Sequence, residues 1–210
     1  MATPRQPIVT LLTDFGGEDW FVGAMKGVLL SLLPSARIVD LSHAVPPGDL
    51  RRAAWILKCA RPSFPPRTVH VAVVDPSVGT SRRIALLHAF GQIFLAPDNG
   101  VLSFVLAEAP RPRLYRLARP DLRLPEVSST FHGRDIFAPV AARLAAGLDP
   151  SAVGPRLKDP VRLPPPVLER EGRGWKAEVT YVDRFGDATL SLARSPRGAG
   201  SDFPAGTKEM

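Results

Sequence analysis

Short apolar runs alternate with longer amphipathic segments over the first 150 residues, and this alternation predicts an α/β fold. The apolar runs have the length of strands and cover residues 8–12, 36–41, 69–74, 84–87 and 92–96. Helical spacing of apolar residues covers 19–33, 49–60 with Asp49 as N-cap, and 136–146 with Asp135 as a candidate cap. We therefore predict a Rossmann-like, mostly parallel sheet that is flanked by helices.

The C-terminal quarter of the chain has a different pattern. Residues 107–127 are rich in Pro and Arg and predict irregular structure, and five prolines between 154 and 166 predict a linker. Residues 175–183 and 188–193 predict a pair of strands around a turn, followed by a Gly- and Pro-rich tail. We divide the chain into an N-terminal α/β catalytic domain (1–153), a Pro-rich linker (154–166) and a short, truncated C-terminal β domain with a disordered tail (167–210).

Polar residues follow four of the predicted strands directly. Residues 69–74 are apolar throughout, which is typical of a strand buried on both faces, and Asp75 is the first polar residue after it. Asp14, His43 and Asp98 stand at the same point after three other strands. Each of these alone is ordinary in a loop. Because ligands of open α/β sheets bind beyond the carboxyl ends of the strands, the four together predict an active-site edge.

Composition excludes several classes of function. The net charge of +7 invites a nucleic-acid interpretation, but the 22 Arg and 5 Lys are scattered, with neither a long basic run nor interleaved aromatics. No apolar stretch approaches the roughly 20 residues of a membrane helix, so we expect a cytoplasmic protein. The single Cys59 lies in a helical pattern where a buried thiol is the commoner case. We expect no nucleic-acid or membrane partner.

Two cofactor interpretations are weak. The loop after the first strand lacks the GxGxxG fingerprint of dinucleotide-binding folds. Asp75 and His132 could ligate a metal, but no HxH, HxxxH or CxxC spacing accompanies them. We therefore expect neither a metal nor a cofactor.

Five segments together resemble a known family. They are TDFGGEDWFVGAMKG (13–27), IVDLSHAVPPGD (38–49), VVDPSVGTSRR (73–83), APDNGVLS (96–103) and STFHGRDIFAPVAA (129–142). The sequence resembles the S-adenosylmethionine (SAM) hydroxide adenosyltransferases, also called SAM hydrolases, which are relatives of the SAM-dependent fluorinase and chlorinase. The resemblance covers most of residues 8–150.

The resemblance implies a reaction and a catalytic set. The hydrolytic members place an Asp, an Arg and a His around the attacking water, and these correspond to Asp75, Arg82 and His132. The halogenating members have Tyr in place of Asp75 and lack the His. The implied reaction is attack of water-derived hydroxide on the ribose C5′ of SAM, which gives adenosine and L-methionine. Sulfonium is already a good leaving group, so catalysis must act on the water, which has to be oriented and deprotonated. Either Asp75 or His132 could be the base.

The resemblance also implies a substrate-binding set. Asp14 corresponds to the carboxylate that accepts the two ribose hydroxyls, and Asp19 and Asp183 to groups near the methionine ammonium. Phe131 and Gly133 correspond to positions against the ligand. SAM is the substrate, so no separate cofactor is implied. The family forms a homotrimer in which the C-terminal domain of a neighbouring subunit contributes adenine contacts.

The C-terminal end departs from the family pattern. Asp187 and Ser191 stand where Asn is usual, and the relatives continue past the point where this sequence stops. The alternative function is therefore a non-catalytic SAM- or adenosine-binding protein with a defective C-terminal half-site. The residues alone do not choose between this alternative and an active hydrolase.

Overall fold

The computed structural model describes residues 6–172 and 174–191, and the chain divides between Leu163 and Pro164 into two compact units. The first unit is built around a six-stranded sheet with the order β2-β1-β3-β5-β4-β6. Its strands are β1 (Ile8–Thr13), β2 (Arg37–Ser42), β3 (Val69–Val73), β4 (Ile84–Ala89), β5 (Gln92–Pro97) and β6 (Arg113–Arg116). Strands β2, β1, β3 and β5 are parallel, and β4 runs antiparallel to both of its neighbours. The predicted mostly parallel α/β sheet is confirmed.

Helices cover both faces of this sheet. They are α1 (Phe21–Leu32), α2 (Leu50–Ala60), α3 (Ser103–Glu108) and α4 (Ala138–Ala145). Side chains of α1 and α4 pack on one face with Val71 and Leu95, and side chains of α2 and α3 pack on the other with Ala72 and Phe94. Because neighbouring residues of a strand point to opposite faces, a sheet covered on both sides needs an unbroken apolar run. β3 and β5 have this pattern, since every residue of both strands is buried.

The predicted irregular segment 107–127 is partly wrong, because it contains the end of α3 and strand β6. β6 is an edge strand of four residues in which Leu114 and Tyr115 alone are buried. Such a short alternation, flanked by prolines and arginines, carries too little periodicity to be recognised. Residues 154–163 belong to the same unit: Leu157 is buried, and Arg156 forms a bridge with Tyr115.

Two further expectations about helices are corrected, and one is confirmed. Asp49 caps α2 by accepting the backbone N–H of Arg52 at 2.9 Å, as predicted. Cys59 is exposed, not buried, because it lies on the outer side of α2. Asp135 does not cap a helix: it lies inside a π-helical turn, Gly133–Phe137, that precedes α4, and its buried carboxylate accepts the backbone N–H of Ser128 at 2.9 Å.

The second unit consists of two separate strand pairs. β7 (Leu168–Glu171) pairs with β8 (Gly174–Ala177), and β9 (Val179–Val182) pairs with β10 (Ala188–Leu190), both antiparallel. The predicted single strand 175–183 is therefore wrong, because the ladder breaks at Glu178, whose backbone N–H bonds instead to Val167 and Ser191. The predicted tail, with residues 192–193 of the predicted last strand, lies outside the described residues.

Candidate active site

The polar residues predicted at strand ends lie at one edge of the sheet. Asp14, His43, Asp75 and Asp98 follow β1, β2, β3 and β5, which are adjacent and parallel. His43 contacts Thr13 Oγ1 through Nδ1 at 2.8 Å, a contact between the ends of β1 and β2. The edge is thus a row of carboxylate and imidazole groups at the position where α/β sheets bind ligands.

The three residues predicted to be catalytic form one hydrogen-bonded set. Arg82 donates from Nε to Asp75 Oδ2 at 2.6 Å, and its Nη2 forms a second, very short contact with the same oxygen. The same Nη2 lies 2.8 Å from His132 Nδ1. The side chains of Asp75 and Arg82 are only 3% and 8% exposed. Charge-assisted bonds shielded from water in this way hold their partners in fixed orientation. We call Asp75, Arg82 and His132 the triad.

The triad fixes the protonation state of His132. A guanidinium has N–H donors and no acceptor, so Nδ1 of His132 must accept the bond from Arg82. The imidazole is therefore neutral and carries its proton on Nε2. Burial, followed by the positive charge of Arg82, lowers the pKa of His132 below its usual value of 6.5, which is consistent with this assignment.

The loop that carries Asp75 and Arg82 packs against the segment that carries His132. Gly79 has a φ of +80°, and a Cβ at this position would lie 2.4 Å from the carbonyl oxygen of Ser129. Only glycine fits such a close approach of two backbones. Because Arg82 and His132 are 50 residues apart in sequence, this approach is what brings them together.

Two further polar residues support Asp75: Ser77, which the sequence did not single out, and Asn99, which follows the predicted strand 92–96 together with Asp98. Ser77 donates from Oγ to Asp75 Oδ1 at 3.2 Å, and Asn99 donates to the carbonyl oxygen of Val74 at 2.8 Å. Ser77 carried a detectable signal, since a hydroxyl two residues after an Asp in a turn commonly bonds to it. Asn99 ties the end of β5 to the end of β3, so the backbone before Asp75 is fixed.

Asp14 differs from the other carboxylates at this edge. Its Oδ2 accepts the backbone N–H of Gly48 at 2.9 Å. Asp75 and Asp98 are paired with Arg82 and Arg83, whereas no cation of the described chain pairs with Asp14. Asp14 therefore keeps acceptor capacity for neutral donors such as hydroxyl groups.

Two of the remaining predicted binding residues, Phe131 and Gly133, lie in an aromatic part of the core. Phe131 is buried in an aromatic group with Phe15, Phe21 and Trp20, at centroid distances of 5.2–6.1 Å. Gly133 lies beneath this group, where an added Cβ would be 2.9 Å from Met25 Sδ, so packing alone requires a small residue there.

The two carboxylates predicted for the methionine ammonium belong to different units of the chain. Asp19 is exposed in the loop before α1. Asp183 belongs to the second unit, where its Oδ1 accepts the backbone N–H groups of Phe185 and Asp187 at 2.8 and 2.9 Å. This carboxylate organises the turn between β9 and β10.

Arg83 binds two carboxylates. It donates from Nε to Asp98 Oδ2 at 2.7 Å and from Nη1 to Asp159 Oδ1 at 2.9 Å.

In residues 6–172 and 174–191, no group of three or more His, Cys, Asp and Glu side chains is arranged to hold a metal ion. No helix among these residues has the length and apolar composition to cross a membrane.

Comparisons with known proteins agree on one group. A family model described as the SAM hydroxide adenosyltransferase N-terminal domain matches residues 9–154. The (R)-S-adenosyl-L-methionine hydrolase of Salinispora tropica is 46% identical over 192 residues, which are 90% of this chain and 73% of that protein. The protein of the same name from Thermus thermophilus is 43% identical, over 90% of this chain and 76% of its own length. The crystal structure of an uncharacterised conserved protein from Thermotoga maritima superposes with a TM-score of 0.82 at 40% identity, covering 87% of this chain and 70% of that one.

Proposed function

The chain belongs to the SAM hydroxide adenosyltransferase family, and from this membership we propose that it hydrolyses SAM to adenosine and L-methionine. Water attacks the ribose C5′, the C5′–sulfur bond breaks, and methionine leaves with the sulfur electron pair. The observation that carries the proposal is the hydrogen-bonded triad of Asp75, Arg82 and His132 at the ligand-binding edge of the sheet.

Asp75 is the base in this mechanism. His132 Nδ1 is occupied by Arg82, and Nε2 carries the proton, so the neutral imidazole offers a donor and no free lone pair. Asp75 Oδ2 accepts from Arg82, but Oδ1 accepts only the long bond from Ser77 at 3.2 Å and keeps room for a proton from water. The Nε2–H of His132 orients the water, and cationic Arg82 favours the hydroxide that develops.

Five residues outside the triad hold the substrate. Asp14, which has no cationic partner in the described chain, accepts the two ribose hydroxyls. Asp19 and Asp183 attract the methionine ammonium. Because SAM is a cation and the chain as a whole carries a charge of +7, local carboxylates are needed to make the binding site negative. Phe131 and Gly133 bound the pocket beside the ribose. The reaction consumes SAM as substrate and draws on no further cofactor.

The same proposal includes assembly as a homotrimer with the active site between subunits. Its support in the first unit is one exposed aromatic side chain: Trp20 is 61% exposed although its ring lies 5.4 Å from that of Phe131 in the aromatic group. Tryptophan is enriched at protein interfaces. Light scattering should give three times the 22.7 kDa of one chain, and Trp20→Ser should lower that mass. A wild-type mass of one chain would contradict the trimer.

Incubation of the purified chain with SAM tests the hydrolysis directly. Chromatography should show adenosine and L-methionine appearing in equal amounts, and fluoride or chloride should add no 5′-halogenated adenosine. SAM that binds but stays intact would overturn the proposal in favour of the non-catalytic alternative. Halogenated product would assign the chain to the halide branch instead.

A further inference from the structure

A cavity of about 230 Å³ adjoins the triad and is lined by an excess of positive charge. Arg82 and His132 form one wall, and the side chains that matter here are Ser81, Arg82, Arg83, Arg116, Arg123 and His132. Of the described residues that line it, none is an Asp or a Glu. A cavity that several basic side chains line and no acidic side chain lines is suited to binding an anion.

The four arginines are not equivalent. Arg82 and Arg83 are neutralised by Asp75, Asp98 and Asp159, all of which lie outside the lining. Arg116 and Arg123 have no carboxylate partner in the described part of the chain. The cavity therefore has two guanidinium groups that pair with no carboxylate of the described residues.

Arg123 has a donor that the fold leaves unused. Its Nε is buried and has no hydrogen-bond partner among the described residues. A buried N–H without an acceptor is unfavourable, so such groups in native proteins commonly bind something outside the chain. The charge of Arg123 also contributes to lowering the pKa of His132, so it is felt at the triad.

We propose that this cavity binds a small oxyanion of the phosphate class. A doubly charged tetrahedral group matches two uncompensated guanidiniums, and its several oxygens can accept from Arg123 Nε, the Arg116 fork and the Ser81 hydroxyl together. The volume accommodates one such group with ordered water. The site shares Arg82 and His132 with the triad, but none of Asp14, Asp19, Phe131 and Gly133 lines it, and it does not depend on the hydrolysis proposed above.

Titration calorimetry with inorganic phosphate tests the site without reference to turnover. Wild-type protein should bind phosphate saturably in excess of sodium chloride at equal ionic strength. Arg123→Met should weaken that binding by about 10- to 100-fold, the loss expected for one charge-assisted bond of roughly 1.5–3 kcal/mol. Arg116→Met should weaken it less, because Arg116 is exposed. Arg37→Met, at the exposed start of β2, is the matched control and should bind as the wild type does.

Three outcomes overturn the proposal: no phosphate binding by the wild type beyond chloride, equal phosphate affinity in the wild type and Arg123→Met, or acetate binding as tight as phosphate. The last would assign the cavity to carboxylates. Should Arg123→Met fail to fold, Arg123→Lys keeps the charge but loses the buried Nε donor, and phosphate affinity must still fall.

Discussion

Asp75→Asn should lower kcat for SAM hydrolysis by about 10²- to 10⁴-fold, the range that a positioned base contributes. The amide keeps the shape of the side chain but cannot take a proton from water. It also removes the negative charge that Arg82 contacts through two nitrogens. Because KM reports contacts away from the reacting water, it should change much less than kcat. Single-turnover and steady-state kinetics with SAM separate the two constants.

The matched control is Asp159→Asn, which also removes a carboxylate from an arginine but at a side chain that is 81% exposed. It should leave kcat within a factor of about two, as expected for an exposed ion pair. Asp75→Asn leaves the buried guanidinium of Arg82 without its counter-charge, and breaking such a pair costs about 3–5 kcal/mol of unfolding free energy. Circular dichroism must therefore show that the variant is folded at the assay temperature. A folded Asp75→Asn protein with wild-type kcat would exclude Asp75 as the base.

The sequence predicted the ligand-binding edge because strand ends are local features. An apolar run that stops at an Asp can be read from a few consecutive residues, and parallel pairing then brings Asp14, Asp75 and Asp98 to one side. The triad is a different case. Arg82 and His132 meet through a close backbone approach at Gly79, which depends on tertiary packing over 50 residues. No local pattern encodes that contact, so Arg82 and His132 entered the catalytic set by resemblance alone.

The incorrect predictions for β6, for the strand around Glu178 and for Asp135 share one physical cause. Strand β6 has two buried residues, and the break at Glu178 rests on side-chain and backbone bonds to residues 11 or more positions away. Asp135 has the residue type of a cap, but a π-helical turn places it inward, where Ser128 and Arg134 satisfy it. In each case a tertiary contact outweighs a weak local preference. The unpaired Nε of Arg123 is likewise visible only once the loops are folded.

His132→Gln should retain more activity than His132→Phe, and the difference should separate an orienting group from a base. Glutamine can still accept from Arg82 and donate to water, whereas phenylalanine can do neither. We expect His132→Phe to lower kcat/KM by about 10²- to 10³-fold, comparable to loss of one preorganised donor, and His132→Gln to recover at least a factor of about ten of that loss. If His132 were the base, both variants would be equally inactive.

The pH profile of kcat/KM supplies the second half of the test. Protonation would turn Nδ1 of His132 into a donor that faces the donor of Arg82, so the neutral ring is the competent form. Because the pKa of His132 is lowered, this form persists below the usual value of 6.5, and wild-type activity should fall only as the pH drops through that lowered pKa. Glutamine does not titrate, so His132→Gln should lose this acid limb and keep its residual activity as the pH falls through the range in which the wild type loses activity. If the acid limb stays in place in His132→Gln, another group causes it, and protonation of His132 does not limit the activity.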